Sequence, residues 1–109
     1  MKKLLLSILI LTGINVFGNA PVADCDADFE FTVSGLTVTF TDISAADPGP
    51  ILSWNWNFGD GSTSTQQSNV HTYADTGTYT VTLLVKNYAT GCEHTTTRTV
   101  RVLFEKANF

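Results

Sequence analysis

From Ala27 onward the chain alternates apolar and polar residues with a period of two, and turn residues interrupt it every six to ten positions. That pattern excludes helices and predicts half-buried β-strands. In the first run Ala27, Phe29, Phe31 and Val33 share one face and Asp28, Glu30 and Thr32 the other. After a tight turn at Ser34-Gly35, Leu36, Val38 and Phe40 alternate with Thr37, Thr39 and Thr41, so the two runs read as an antiparallel hairpin. Asp47-Pro48-Gly49-Pro50 cannot continue a strand, because proline lacks the backbone donor. A third strand then places Leu52, Trp54, Trp56 and Phe58 inward and Ser53, Asn55 and Asn57 outward, ending in a turn at Gly59-Asp60-Gly61.

The polar residues 62–68 fit either a short edge strand or a loop, and Val70 to Tyr73 reads as a short strand. After the turn Asp75-Thr76-Gly77 comes the strongest run, with Tyr79, Val81, Leu83 and Val85 inward and Thr78, Thr80, Thr82 and Lys86 outward. A final strand is expected over residues 94–104, with Val100, Val102 and Phe104 on one face. About seven short antiparallel strands mean an all-β sandwich or barrel. Asp75-x-Gly77-x-Tyr79 has the layout of a tyrosine corner and favours the sandwich, with Trp56 filling its middle.

The first twenty residues follow different rules. Lys2 and Lys3 precede an apolar run from Leu4 to Leu11, and small residues follow at Gly18 and Ala20. This is the layout of a secretory signal peptide. The reading divides the chain into a signal at 1–20 and one domain at 21–109, with cleavage after Gly18 as the other candidate. The apolar stretch is shorter than the roughly 20 residues a bilayer span needs, so no stable membrane span is expected once the signal is removed.

Without Lys2 and Lys3 the chain keeps four basic and ten acidic residues, a net charge of −6. Such a surface repels phosphate backbones, which excludes nucleic acid as a partner. In an exported chain the two cysteines, Cys25 and Cys92, are expected to form a disulfide. The rival reading is lipidation of Cys25, against which stands the charged Asp24 directly before it.

The ordered series Trp56-Asn57-Phe58-Gly59-Asp60-Gly61, His71-Thr72-Tyr73 and Gly77-Thr78-Tyr79-Thr80-Val81-Thr82-Leu83 resembles the PKD (polycystic kidney disease) domain, of the bacterial secreted type. The family pattern is W-x-F-G-D-G, then H-x-Y, then G-x-Y-x-V-x-L. The resemblance spans nearly all of residues 25–104. It implies an immunoglobulin-like β-sandwich and an extracellular or cell-surface role as a spacer or adhesive module beside secreted enzymes or in surface proteins. It also implies that Trp56, Phe58, Gly59, Asp60, Gly61, His71, Tyr73, Gly77 and Tyr79 are structural positions, with Cys25 and Cys92 stapling the two ends. Some relatives carry calcium between the start of the domain and the loop before the third strand, which makes Asp26 and Asp47 candidate ligands. The loop here, Asp47-Pro48-Gly49-Pro50, has fewer acidic residues than calcium-associated relatives. No other cofactor is implied.

No nucleophile motif accompanies His71, and no carboxylate is placed near Asp60 by sequence, so no catalytic residues and no enzyme activity are expected. Asp60 reads as a turn residue capping backbone N–H groups, His71 as a sheet-edge ring bonded to backbone, and His94 as an exposed residue. Two histidines 23 positions apart make no zinc signature. For a carbohydrate partner the candidates are Trp54, which parity turns inward, and Tyr88 in an exposed loop. The function expected is therefore a non-catalytic interaction or spacer module contacting extracellular protein. The alternative is a carbohydrate-binding module accessory to an enzyme that degrades polysaccharide or protein.

Overall fold

The computed structural model describes residues 23–104, so the signal peptide expected over residues 1–20 lies outside the described residues. Nine antiparallel strands are present among them: β1 (Asp24–Asp26), β2 (Phe29–Ser34), β3 (Thr37–Asp42), β4 (Ala45–Asp47), β5 (Ser53–Asn57), β6 (Thr63–Ser64), β7 (Asn69–Thr72), β8 (Gly77–Asn87) and β9 (Cys92–Val102). A three-stranded sheet in the order β2-β3-β7 faces a four-stranded sheet in the order β6-β5-β8-β9, and β1 pairs with β4 in a small third ladder. The count exceeds seven because β1, β4 and β6 are two- or three-residue additions that sequence alternation cannot register.

The β2–β3 hairpin closes at Ser34↔Thr37, with Gly35 at φ 62° in the tight turn. The inward faces of the two sheets meet in an aromatic core. Phe29 and Phe40 come from one sheet and Trp56 from the other, with ring centroids 5.0 and 5.5 Å from the indole. Val38, Val81, Leu83, Val85, Val100 and Val102 complete it and are fully buried. Burying each such side chain stabilises the fold by about 1.5–3 kcal/mol, which sets the register of every strand that contributes one.

The expected faces hold at the centres of the strands and fail at their ends. Val33, beside the hairpin turn, is exposed. Leu52 is also exposed while Ile51 is buried, because the ladder starts at Ser53 and strand alternation does not govern the residues before it. The last strand stops at Val102, two residues short of the expected end, and Phe104 is solvent-exposed instead of lying on the core face.

Cys25 and Cys92 form a disulfide with Cα atoms 5.6 Å apart, joining β1 to the start of β9. Cys25 is therefore committed to a crosslink and not to lipidation. Among the described residues one polar side chain lies in the core: Asn87 donates from Nδ2 to the Pro50 carbonyl at 2.8 Å and accepts from the Ala89 N–H at 2.9 Å. It ties the loop before β5 to the β8–β9 turn, and both its polar ends are satisfied.

Candidate functional site

Polar and aromatic side chains converge in three places, and the motif residues occupy the first. The turn after β5 is held by its own polar residues. Asn57 Oδ1 accepts from the Gly59 N–H at 2.9 Å, and Asp60 Oδ1 accepts from the Ser62 N–H at 3.0 Å. Gly59 sits at φ +86°, and a Cβ there would lie 2.5 Å from the backbone oxygen of Thr80 on β8. Only glycine lets the turn pass that close to the neighbouring strand. Gly59→Ala is expected to cost about 3 kcal/mol, the sum of left-handed backbone strain and a clash that β8 cannot relieve. A fall in the urea midpoint checks this.

β7 then delivers His71 beneath the turn. Its ring stacks on Phe58 with centroids 4.4 Å apart and meets Tyr73 edge-on at 4.5 Å. Its Nε2 donates to Asp60 Oδ2 at 2.8 Å. The expectation that His71 bonds backbone is thus corrected: its partner is a carboxylate eleven residues earlier, brought across by the packing of the two sheets. Tyr73 is fully buried and donates to the Phe58 carbonyl at 2.8 Å, and its ring stacks on Tyr79 at 4.0 Å. Burial, the Asp60 charge and the neighbouring Tyr79 push the Tyr73 phenol well above its ordinary value. Tyr79 donates to the Asp75 carbonyl at 2.8 Å, the geometry of a tyrosine corner. Gly77 opens β8 beside it.

Burial pushes the Asp60 carboxyl up, but the His71 hydrogen bond and charge and the Ser62 N–H outweigh it. They hold Asp60 below its ordinary 3.8. A carboxylate depressed in the folded state stabilises the fold above its unfolded value, and that contribution is lost as pH falls through the folded value. Asp60→Asn is therefore expected to destabilise at pH 7 and to lose its effect as the pH falls through the folded-state value, which lies below 3.8. Urea midpoints of both proteins, followed from pH 7 downward, measure the difference.

The second place is an open cleft of about 440 Å³ where β3, β4, β5 and the β6–β7 loop meet. Trp54 forms one wall. It packs against the core, and its indole Nε1 donates to Asp42 Oδ2 at 3.0 Å. Gln67 Nε2 donates to the same oxygen at 3.1 Å, while Asp42 Oδ1 accepts from the Ser44 N–H at 3.1 Å. A half-buried indole, a carboxylate and a primary amide thus share one concave surface. Sequence reasoning singles out Trp54 but misses Asp42 and Gln67, which lie in segments without recognisable patterning. Tyr88, the other carbohydrate candidate, is 72% exposed in the β8–β9 turn and does not line this cleft.

The third place is the β1–β4 ladder. Asp47 lies opposite Asp24, and Asp26 lies opposite Ala45, so Asp26 and Asp47 are diagonal on one face. Asp26 has His94 at 3.8 Å, and His94 Nδ1 accepts from the Ala27 N–H at 2.8 Å, so the ring ties β9 to the start of the domain although it stays exposed. Calcium takes about six to eight oxygens. Among the described residues no group of three or more His, Cys, Asp or Glu side chains is arranged to hold a metal. The residues present fit calcium poorly.

This geometry is that of an immunoglobulin-like β-sandwich with a tyrosine corner. The sequence matches the PKD domain family over residues 18–102, and the chain belongs to that family. It is similar to the PKD1 domain of Vibrio anguillarum Epp, with 34% identity and a TM-score of 0.71 over 74% of this chain and 95% of that one. It is similar also to the PKD1 domain of the Vibrio cholerae metalloprotease PrtV, with 37% identity and a TM-score of 0.69 over 72% and 96% of the two chains. A third similar structure comes from work on the promiscuous specificity of carbohydrate-binding modules of the β-sandwich superfamily. It is 30% identical with a TM-score of 0.66, over 73% of this chain and 34% of that one. No curated protein sequence is similar enough to count as a match. PKD domains are β-sandwich modules found in secreted proteins and are generally non-catalytic.

Proposed function

We propose that this chain is a non-catalytic interaction or spacer module that works outside the cell, in a secreted or surface-exposed bacterial protein, through contacts with protein. The observation that carries this reading is that the groups able to do chemistry are spent on holding the fold. Asp60 and His71 bind each other and the turn, Tyr73 and Tyr79 bind backbone carbonyls, and both cysteines are in the disulfide. An Asp–His pair needs a nucleophile or an ordered substrate beside it to act as a base. The hydroxyl nearest in the motif, that of Tyr73, is buried and already donating. The signal-like start of the sequence and the relationship to Vibrio domains support an extracellular location.

A second reading is supported by the Trp54 cleft. An aromatic wall beside a carboxylate and an amide is suited to a sugar ring, whose C–H face packs on the indole while its hydroxyls bond the polar groups. The similarity to a structure from work on carbohydrate-binding modules adds weight to it. A glycan array and a pull-down with extracellular proteins, run on the disulfide-bonded chain, separate the two. Glycan binding that Trp54→Ala and Gln67→Ala both abolish would establish the carbohydrate reading. Protein capture without glycan binding supports the interaction module.

A further inference from the structure

The four-stranded sheet ends on β9, and among the described residues β9 pairs with β8 alone, over all eleven of its positions. Its other edge is a row of backbone N–H and C=O groups about 35 Å long, twice the length of an ordinary strand. Such an edge templates pairing with another chain unless something blocks it. β9 carries no proline, and the charges on its outer face are of both signs.

We propose that this edge pairs antiparallel with the same edge of a second copy, about a two-fold axis at Thr97, joining the two four-stranded sheets into one. The register follows from the side chains. Glu93, Thr95, Thr97, Thr99 and Arg101 alternate onto the outer face of the sheet, beside Lys86, Leu84, Thr82, Thr80 and Thr78 of β8. Around a two-fold at Thr97, Glu93 of each copy lies opposite Arg101 of the other, and Thr95 lies opposite Thr99. Opposed unlike charges and threonine pairs both stabilise an antiparallel ladder. A shift of two residues in one direction sets Arg98 against itself, and in the other direction it sets His94 against Arg98; either shift removes both Glu–Arg pairs. The backbone agrees with the chosen register. Every residue meets one of the same parity, so groups that point off one edge meet groups that point off the other.

Glu93 is well exposed and its neighbour Lys86, at 3.7 Å, sits on the β8 side. β1 packs against the start of β9, where it is held through the Cys25–Cys92 disulfide and the Ala27–His94 hydrogen bond, both made by residues of β9 that alternate with Glu93 and Thr95. The same register solves a second exposure. Leu103 and Phe104 continue past β9 and are 54% and 65% exposed. In the pair they lie over the β8–β9 turn of the second copy, where Tyr88 is also exposed. Charge complementarity and apolar exposure at opposite ends of one strand thus select the same occupant, a second copy of this chain. Such isologous pairing is the commonest form of self-association. It is independent of whether the module's ligand is protein or glycan.

Sedimentation equilibrium of the disulfide-bonded chain tests it. The chain is expected to self-associate, and Glu93→Arg and Arg101→Glu each to weaken this about tenfold or more, because each pair occurs twice and repulsion replaces attraction. An equimolar mixture of the two variants is expected to associate again. In the mixed pair the arginine introduced in one copy faces the glutamate introduced in the other, and the two unchanged residues face each other at the far end, so unlike charges meet at both. Both substitutions are on exposed positions, and a wild-type urea midpoint confirms that each variant is folded. A chain that remains monomeric up to about 1 mM overturns the proposal, as does association that the single variants leave unchanged or that their mixture fails to restore.

Discussion

Trp56→Ala is expected to lower the free energy of unfolding by about 4 kcal/mol, the upper range for removing a large aromatic from a core. The indole is 1% exposed and touches rings on both sides: Phe29 and Phe40 across the interface, and Phe58 just past the end of its own strand at 6.1 Å. Its Nε1 also donates to the Gln66 carbonyl at 2.9 Å, which ties the loop after β6 to the core. Truncation therefore opens a cavity that rigid ladders on both sides cannot close and removes one of the two hydrogen bonds the Gln66 carbonyl accepts, leaving only that from Asn69 Nδ2. A domain of this size has about 5–15 kcal/mol of stability in total, so the variant should sit near the edge of folding. Urea titration followed by near-ultraviolet circular dichroism measures the shift. A loss below about 1.5 kcal/mol would mean that the two sheets can approach each other to fill the space.

Replacing both Cys25 and Cys92 by alanine is expected to cost about 4 kcal/mol, from the conformational freedom the unfolded chain regains when a 67-residue loop opens. The comparison that isolates the effect is the oxidised chain against the double variant in urea, since both keep the same core residues apart from the two sulfurs. The native contacts near the bond are modest: the three-residue β1, its ladder with β4, and the His94 bond to Ala27. A further outcome is therefore expected, that β1 loosens before the sandwich does. Hydrogen exchange at Asp24 to Asp26 in the double variant would reveal it as protection lost there and retained at Val81 to Val85.

The centre of the fold is legible in the sequence because burial on a strand has a two-residue signature. Alternation places Phe29, Phe40, Trp56, Val81, Leu83 and Val100 inward, and all are buried. The signature fades where the opposing sheet ends, which is why it misplaces Val33, Leu52 and Phe104. Short elements such as β4 and β6 carry too few residues for any periodicity. The tyrosine corner is readable because its bond spans four residues, Tyr79 to Asp75. The partners of His71 and Trp54 are not, because Asp60 and Asp42 lie eleven and twelve residues away and reach them only through turns and sheet packing. Asn87 resembles any loop asparagine, and its burial depends on the approach of Pro50 from another part of the chain.

The crosslink between β1 and the beginning of β9 also decides how the domain behaves as a mechanical link. Tension applied through the residues before Cys25 and after Val102 passes from β1 through the sulfur bridge directly into β9. The chain between the two cysteines, which stand 67 positions apart, is removed from the load path. The stretch from Cys92 to Val102 is already extended, spanning roughly 35 Å at about 3.4 Å per residue, close to the most its backbone can reach, so tension draws out almost nothing more. Without the bridge the whole sandwich could unravel to several times that length. Any pull on the two ends of the domain would thus lengthen it very little for as long as it stays oxidised.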